Sequence, residues 1–183
     1  MYLQKSPESA RKLLTELDSQ PSCCNDSTEI DLPYFGHCFN EAMRMQPPVY
    51  YSSSACMKQD VVAAGFHLRK DDIFYIGMGS LCNDPREWQS PEKFIPERFD
   101  PRSEYYLTPS GKKRNPFSFS PFLGGMRICL GKTFVEEVSK VTLPSVLRRF
   151  WFEAEDPRKF QVPVNHMLCQ SEPVVNMVLK TRQ

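Results

Sequence analysis

The run Pro121-Phe122-Leu123-Gly124-Gly125-Met126-Arg127-Ile128-Cys129-Leu130-Gly131 holds the residue types best suited to chemistry in this chain. Its adjacent glycines allow a tight loop that a Cβ would crowd. Cys129 closes the loop where a helix-like segment, 132–150, begins. Unpaired N–H groups and the positive end of a helix dipole there favour a thiolate over a thiol. Such a sulfur is either a nucleophile or a metal ligand. A lone cysteine can also be a buried, inert small side chain. Arg127, two residues earlier, offers a permanent cation to a carboxylate or phosphate.

The segments that must position this loop can be read from spacing. Residues 6–19 predict a helix with Ser6 as cap, Pro7 and Glu8 in the first turn, and Ala10, Leu13, Leu14 and Leu17 on one face. Residues 32–46 predict a second helix, capped by Asp31 and stopped by Pro47-Pro48, with a stripe of Phe35, Cys38, Phe39, Ala42 and Met43. Glu41 and Arg44 lie three apart and off that stripe, which on spacing alone reads as an exposed ion pair. Residues 49–78 carry short β-like runs broken at Gly65 and at Lys70-Asp71-Asp72, predicting a small antiparallel sheet. Residues 79–88 predict a short helix or turn broken at Asp84-Pro85. Residues 91–119 are rich in proline and aromatics and predict irregular packed structure. Residues 132–150 predict a helix with Phe134, Val138, Val141, Val146, Leu147 and Phe150 in a stripe. Pro144 inside it predicts a kink or an early stop. Residues 151–183 predict a C-terminal sheet built from 151–154, 160–162 and 174–179.

A chain of 183 residues fits one domain, and its 40% hydrophobic and 25% charged content is that of a globular protein. A net charge of +1 gives no bias toward nucleic acid. Seven scattered cysteines without a CxxC pair, and three distant histidines (His37, His67 and His166), argue against zinc and for free thiols in a reducing compartment. No apolar run is long enough to span a bilayer, and no signal peptide is visible.

The order Phe-x-x-Gly-x-Arg-x-Cys-x-Gly, from Phe122 to Gly131, resembles the heme-ligating loop of the cytochrome P-450 family. By that resemblance Cys129 is the axial thiolate on heme iron and Arg127 pairs a heme propionate. Phe122 lies beside the ligand loop, while Gly125 and Gly131 let backbone approach the porphyrin of heme b (iron protoporphyrin IX). Glu41-x-x-Arg44 before a proline stop resembles the family's K helix. Pro96-Glu97-Arg98-Phe99 resembles its PERF motif, so Arg98 is expected to complete an inward structural triad with Glu41 and Arg44.

The resemblance implies an α+β fold, the mainly helical C-terminal part of the cytochrome P-450 domain with small antiparallel sheets, incomplete. Its parts are a J-like helix at 6–19, the K helix at 32–46, a β region at 49–78, PERF and meander at 91–119, the cysteine loop at 120–131, the L helix at 132–150 and a C-terminal sheet at 151–183. Two departures stand out. No arginine lies between Arg44 and Arg69, so the family's second basic propionate partner, expected near Ala55, is absent. No Ala-Gly-x-Asp/Glu-Thr pattern occurs, so the family's distal acid–alcohol pair, and with it any catalytic residue, is absent from this chain.

The implied activity is monooxygenation of a small lipophilic substrate. The implied electron donor is a reductase, docking near Lys112, Lys113 and Arg114, a basic run that also reads as a solvated loop tip. The implied location in eukaryotes is the endoplasmic reticulum membrane. Two alternatives remain. One is a truncated, non-catalytic fragment that binds heme weakly or not at all and is poorly soluble. The other is an unrelated protein whose Cys129 is a redox or nucleophilic thiol.

Overall fold

The computed structural model describes residues 2–19, 31–52, 55–63, 65–156 and 176–182. Two short helices, α1 (Tyr2–Lys5) and α2 (Pro7–Ser19), are followed by α3 (Pro33–Met45). Leu13 and Leu17 of α2 pack with Leu32, Phe35 and Cys38, and this buried cluster is flanked by Leu3, Leu14, Phe39, Phe94 and Leu147. The i, i+3, i+4 spacing read from α2 is therefore its core face.

The start of α3 is capped differently from the expectation. Asp31 is exposed, and Leu32, at the cap position, makes no side-chain cap bond. Glu16, from α2, accepts the Tyr34 and Phe35 N–H groups at 2.8 and 2.7 Å. A carboxylate at a helix N-terminus satisfies orphan donors and faces the positive dipole end. This one also fastens α2 to α3.

Four short strands follow: β1 (Ala55–Cys56), β2 (Val61–Ala63), β3 (Phe66–Leu68) and β4 (Ile73–Phe74). They form two separate antiparallel pairs, β1 with β4 and β2 with β3. The β2–β3 turn needs Gly65, whose φ is +82°. Helix α4 (Met78–Cys82) is shorter than the 79–88 segment expected to hold it. Residues 91–119 are irregular, with one-turn 3-10 helices at Pro96–Phe99, Glu104–Tyr106 and Pro116–Ser118.

Helix α5 (Lys132–Arg149) runs through Pro144, so the early stop does not occur. Pro144 is buried where the C-terminal third of the helix docks on the core: Leu147 packs against the core cluster and Arg148 Nε donates to Leu17 O at 3.0 Å. Tertiary packing there outweighs the backbone bond that proline cannot make. Strands β5 (Phe150–Ala154) and β6 (Met177–Thr181) pair antiparallel, Phe150 opposite Thr181. The strand expected at 160–162, the first residues of that expected at 174–179, and Cys23, Cys24, Cys169 and His166 lie outside the described residues. The architecture is α+β, helical in the main, with small antiparallel sheets. No helix among the described residues is long and apolar enough to cross a membrane.

Candidate functional site

Glu41, Arg44 and Arg98 are brought together with no solvent exposure. Phe35, Cys38, Glu41 and Arg44 recur every third residue on the buried side of α3, which rules out the exposed ion pair that spacing alone suggested. Three residues fall short of a full turn, so the buried side rotates along the helix. It is apolar near the N-terminus of α3 and charged near the C-terminus. Arg44 grips Glu41 with two parallel bonds, Nε to Oε2 at 2.8 Å and Nη2 to Oε1 at 2.9 Å. Arg98 Nε donates to Glu41 Oε1 at 3.1 Å, and the Ile95 N–H donates to the same oxygen at 2.9 Å.

One carboxylate cannot neutralise two guanidiniums. Backbone carbonyls satisfy the remaining donors: Arg44 bonds Cys82 O at 2.9 Å and Pro91 O at 2.8 Å, and Arg98 bonds Gln89 O, and Ser90 O at 2.7 Å. Burial lowers the Arg98 pKa, the Glu41 carboxylate works against that shift, and Arg44 adds to it. The triad thus ties α3 to α4 and to the segment 89–98.

Glu97, beside Arg98, forms a second clamp that spacing did not reveal. Its Oε1 accepts Lys12 Nζ from α2 at 2.8 Å and the Tyr34 hydroxyl from α3 at 3.1 Å. Burial pushes the Glu97 carboxyl up, but the bonds from Lys12, its own backbone N–H and Tyr34 outweigh it, and the net shift is downward. A lowered carboxylate pKa adds stability that is fully present above its ordinary value of 4.5 and is lost as pH falls through the lower folded value. The Lys12 pKa is raised, through its bonds to Glu97 and Glu8. Its share is therefore present below 10.5 and lost as pH rises through the higher folded value. Glu97→Gln is expected to cost about 1 kcal/mol at pH 7, since the pair is partly exposed. Urea unfolding of both proteins at pH 7 and near pH 3 should show the gap shrinking in acid; a gap of equal size at both pH values would contradict the clamp.

The cysteine loop is held by its own backbone. The Cys129 N–H donates to Phe122 O at 2.8 Å, the Ile128 N–H to Gly125 O at 3.3 Å and the Lys132 N–H to Cys129 O at 3.2 Å. Phe122 is half-buried, while Arg127 and Cys129 are exposed, the cysteine as a free thiol. Among the described residues, neither the Arg127 guanidinium nor the Cys129 sulfur has a hydrogen-bonding partner, and no base touches the sulfur.

Gly125 has φ +64°, and nothing in the chain lies within 4 Å of a Cβ placed there. A Cβ on Gly131 would meet only Cys129 Sγ, at an ordinary 3.8 Å. Of the two adjacent glycines, Gly124 is the crowded one: a Cβ there would come within 2.9 Å of the exposed Phe117 ring. Gly125→Ala is expected to cost about 1–2 kcal/mol through backbone strain alone. Gly124→Ala should cost less, because the Phe117 ring can swing aside; comparison of their urea midpoints checks the order.

Around the sulfur the surface is open and apolar. Met126 and Leu130 are fully exposed, and Ile128, Phe134, Val138 and Val141 are 40–70% exposed. None of the described cavities is lined by Cys129; a groove of about 690 Å³ lies elsewhere, between α1–α2, β5 and Arg182. Near the expected second propionate partner stands Ala55, exposed in β1. Of the basic run, Lys112 and Lys113 are exposed, but Arg114 turns inward. It donates to Tyr105 O at 2.9 Å and Arg98 O at 2.5 Å, which removes it from the expected docking patch.

The cytochrome P450 family model matches residues 1–176. The chain belongs to the cytochrome P-450 family. Among curated proteins, thromboxane-A synthase of Rattus norvegicus is 33% identical over 180 residues, covering 94% of this chain and 32% of the relative. Cytochrome P-450 4F6 of Rattus norvegicus is 31% identical over 160 residues, covering 86% and 28%. Taurochenodeoxycholic 6 alpha-hydroxylase of Sus scrofa is 29% identical over 184 residues, covering 97% and 34%. The chain thus spans about a third of the length of these curated relatives. The family is one of heme-dependent oxidoreductases, and membership excludes the reading of an unrelated redox protein.

Proposed function

We propose that this cytochrome P-450 chain forms the thiolate side of a heme b site in a monooxygenase acting on a small lipophilic substrate. The observation that carries the proposal is the state of Cys129. Its sulfur is free, exposed and at the start of α5, on a loop whose backbone is already bonded, and an apolar face surrounds it. These residues fit a heme. The soft sulfur suits iron, the uncommitted Arg127 suits a propionate, and the apolar face suits a porphyrin. Gly131 has no steric need inside the chain, and a flat ligand over the loop supplies one.

In this reading Cys129 would hold the heme iron through its sulfur, Arg127 would hold a propionate, Phe122 would support the loop, and Gly125 and Gly131 would leave room for the ring. When bound, the heme supplies the redox chemistry that places one oxygen atom of dioxygen into the substrate. The Glu41–Arg44–Arg98 triad acts at a distance, keeping α3, α4 and 89–98 in one block. Electrons arrive from a reductase partner; the exposed Lys112 and Lys113 remain as a contact for an acidic surface. The distal acid–alcohol pair and the enclosing walls belong to a longer polypeptide, and the location is the endoplasmic reticulum membrane.

The openness of the sulfur's face favours a second reading for the chain taken alone: a non-catalytic fragment that holds heme weakly or not at all. Titrating purified protein with heme, then reducing it under carbon monoxide, separates the two. A thiolate-type Soret band at stoichiometric heme supports the site; uptake only at large excess, without that band, supports the fragment.

A further inference from the structure

Arg114 stands outside every role assigned so far, and its surroundings are unusually specific. Its guanidinium lies 4.5 Å from the centre of the Trp88 ring and 5.4 Å from that of Tyr106. The same group donates to carbonyls in two different segments, Tyr105 and Arg98. Trp88 is 1% exposed, lies 5.3 Å from the Arg44 guanidinium, donates to Leu81 O at 3.1 Å and packs against Phe99 and Phe119. Arg114 is therefore joined to two members of the buried triad, to Arg98 directly and to Arg44 through Trp88.

Downstream, the chain leaves Arg114 in a relay of short bonds that ends at the cysteine. The Asn115 N–H donates to Glu87 Oε2 at 2.8 Å, and the Ser118 N–H donates to Asn115 O at 2.9 Å. Ser120 Oγ donates to Phe117 O at 2.9 Å, and the Leu123 N–H to Ser120 O at 3.0 Å. The last link is the Cys129 N–H on Phe122 O at 2.8 Å. Past the Asn115–Glu87 bond every link is local, so the relay takes its position from its anchored start, Arg114 on the buried block and Asn115 on Glu87 beside Trp88.

We propose that Arg114 is a positioning residue for Cys129: it locks the start of the cysteine loop's support to the buried Glu41–Arg44–Arg98 block. This rests on the heme reading above only for the consequence on ligation. The choice of arginine follows from its shape. A planar fork bonds two carbonyls while its face stacks on an aromatic ring, and a lysine ammonium cannot do both.

The test uses Arg114→Gln and Arg114→Lys, with the double variant of Lys112→Gln and Lys113→Gln as control. In the heme-free protein, amide hydrogen exchange and mass-resolved maleimide labelling report on Cys129. Losing a charged hydrogen bond near a loop is expected to speed exchange of the bonded Cys129 amide by about tenfold in Arg114→Gln, while labelling of the already exposed thiol stays near the parent rate. Arg114→Lys should recover part of the protection, the control should match the parent, and the slowest amides of α2 and α3 should change less than Cys129. In the heme-loaded protein the thiolate-type Soret band should give way partly to a non-thiolate form. Unchanged exchange at the Cys129 amide would overturn the proposal, as would an equal rise at every amide or failure of both variants to fold. A parent chain that takes up no heme would defeat the functional reading while leaving the heme-free test of Arg114 intact.

Discussion

Glu41→Gln is expected to abolish cooperative unfolding of this chain. The substitution keeps the shape of the side chain and removes its charge, leaving two fully buried guanidiniums 0% exposed to solvent with no anion between them. Breaking a buried ion cluster by removing one partner costs about 3–5 kcal/mol. That is a large share of the roughly 5–15 kcal/mol that holds a typical domain folded. The loss should appear in the near-ultraviolet circular dichroism of Trp88, whose ring lies against Arg44. Urea titration followed at that signal should show a broad slope where the parent shows a sigmoid. A variant that melts within about 0.5 kcal/mol of the parent, the range of an ordinary surface change, would mean that the triad does not brace the fold.

Cys129→Ala should show the opposite pattern, large at the site and small in the fold. The sulfur is exposed, and the loop's hydrogen bonds run through its backbone, so removing it should change stability by less than about 0.5 kcal/mol. In the heme-loaded, reduced protein under carbon monoxide, the thiolate-type Soret band should vanish completely. A surviving band would move the axial ligand to another residue. Cys56 is the other exposed thiol among the described residues and provides the matched control.

The two variants separate roles that lie close together in the motif pattern. One group of residues is buried and braces the fold; the other is exposed and is expected to add little to stability. Glu97 belongs with the first group, since it ties Pro96–Phe99 to both α2 and α3, and its contribution disappears in acid. Arg114 links the groups.

Local order along the chain is enough to read most helices and to single out the cysteine loop. Proline in the first turn, apolar residues at helical spacing and paired prolines as a stop identify α2 and α3, because helix formation depends on neighbours within one or two turns. The Phe122–Gly131 run is legible for the same reason: the glycines of the loop and Cys129 lie within a few residues of each other. Tertiary structure decided the rest. Whether Glu41 and Arg44 face water or core depends on Arg98 and on carbonyls some forty to fifty residues away. The cap on α3 comes from Glu16, where local pattern pointed to Asp31. Pro144 stays helical because the surrounding turn is docked on the core, and Arg114 turns inward because Trp88 and two carbonyls wait there. In each case the deciding partner is distant in sequence, and periodicity carries no information about distance across space.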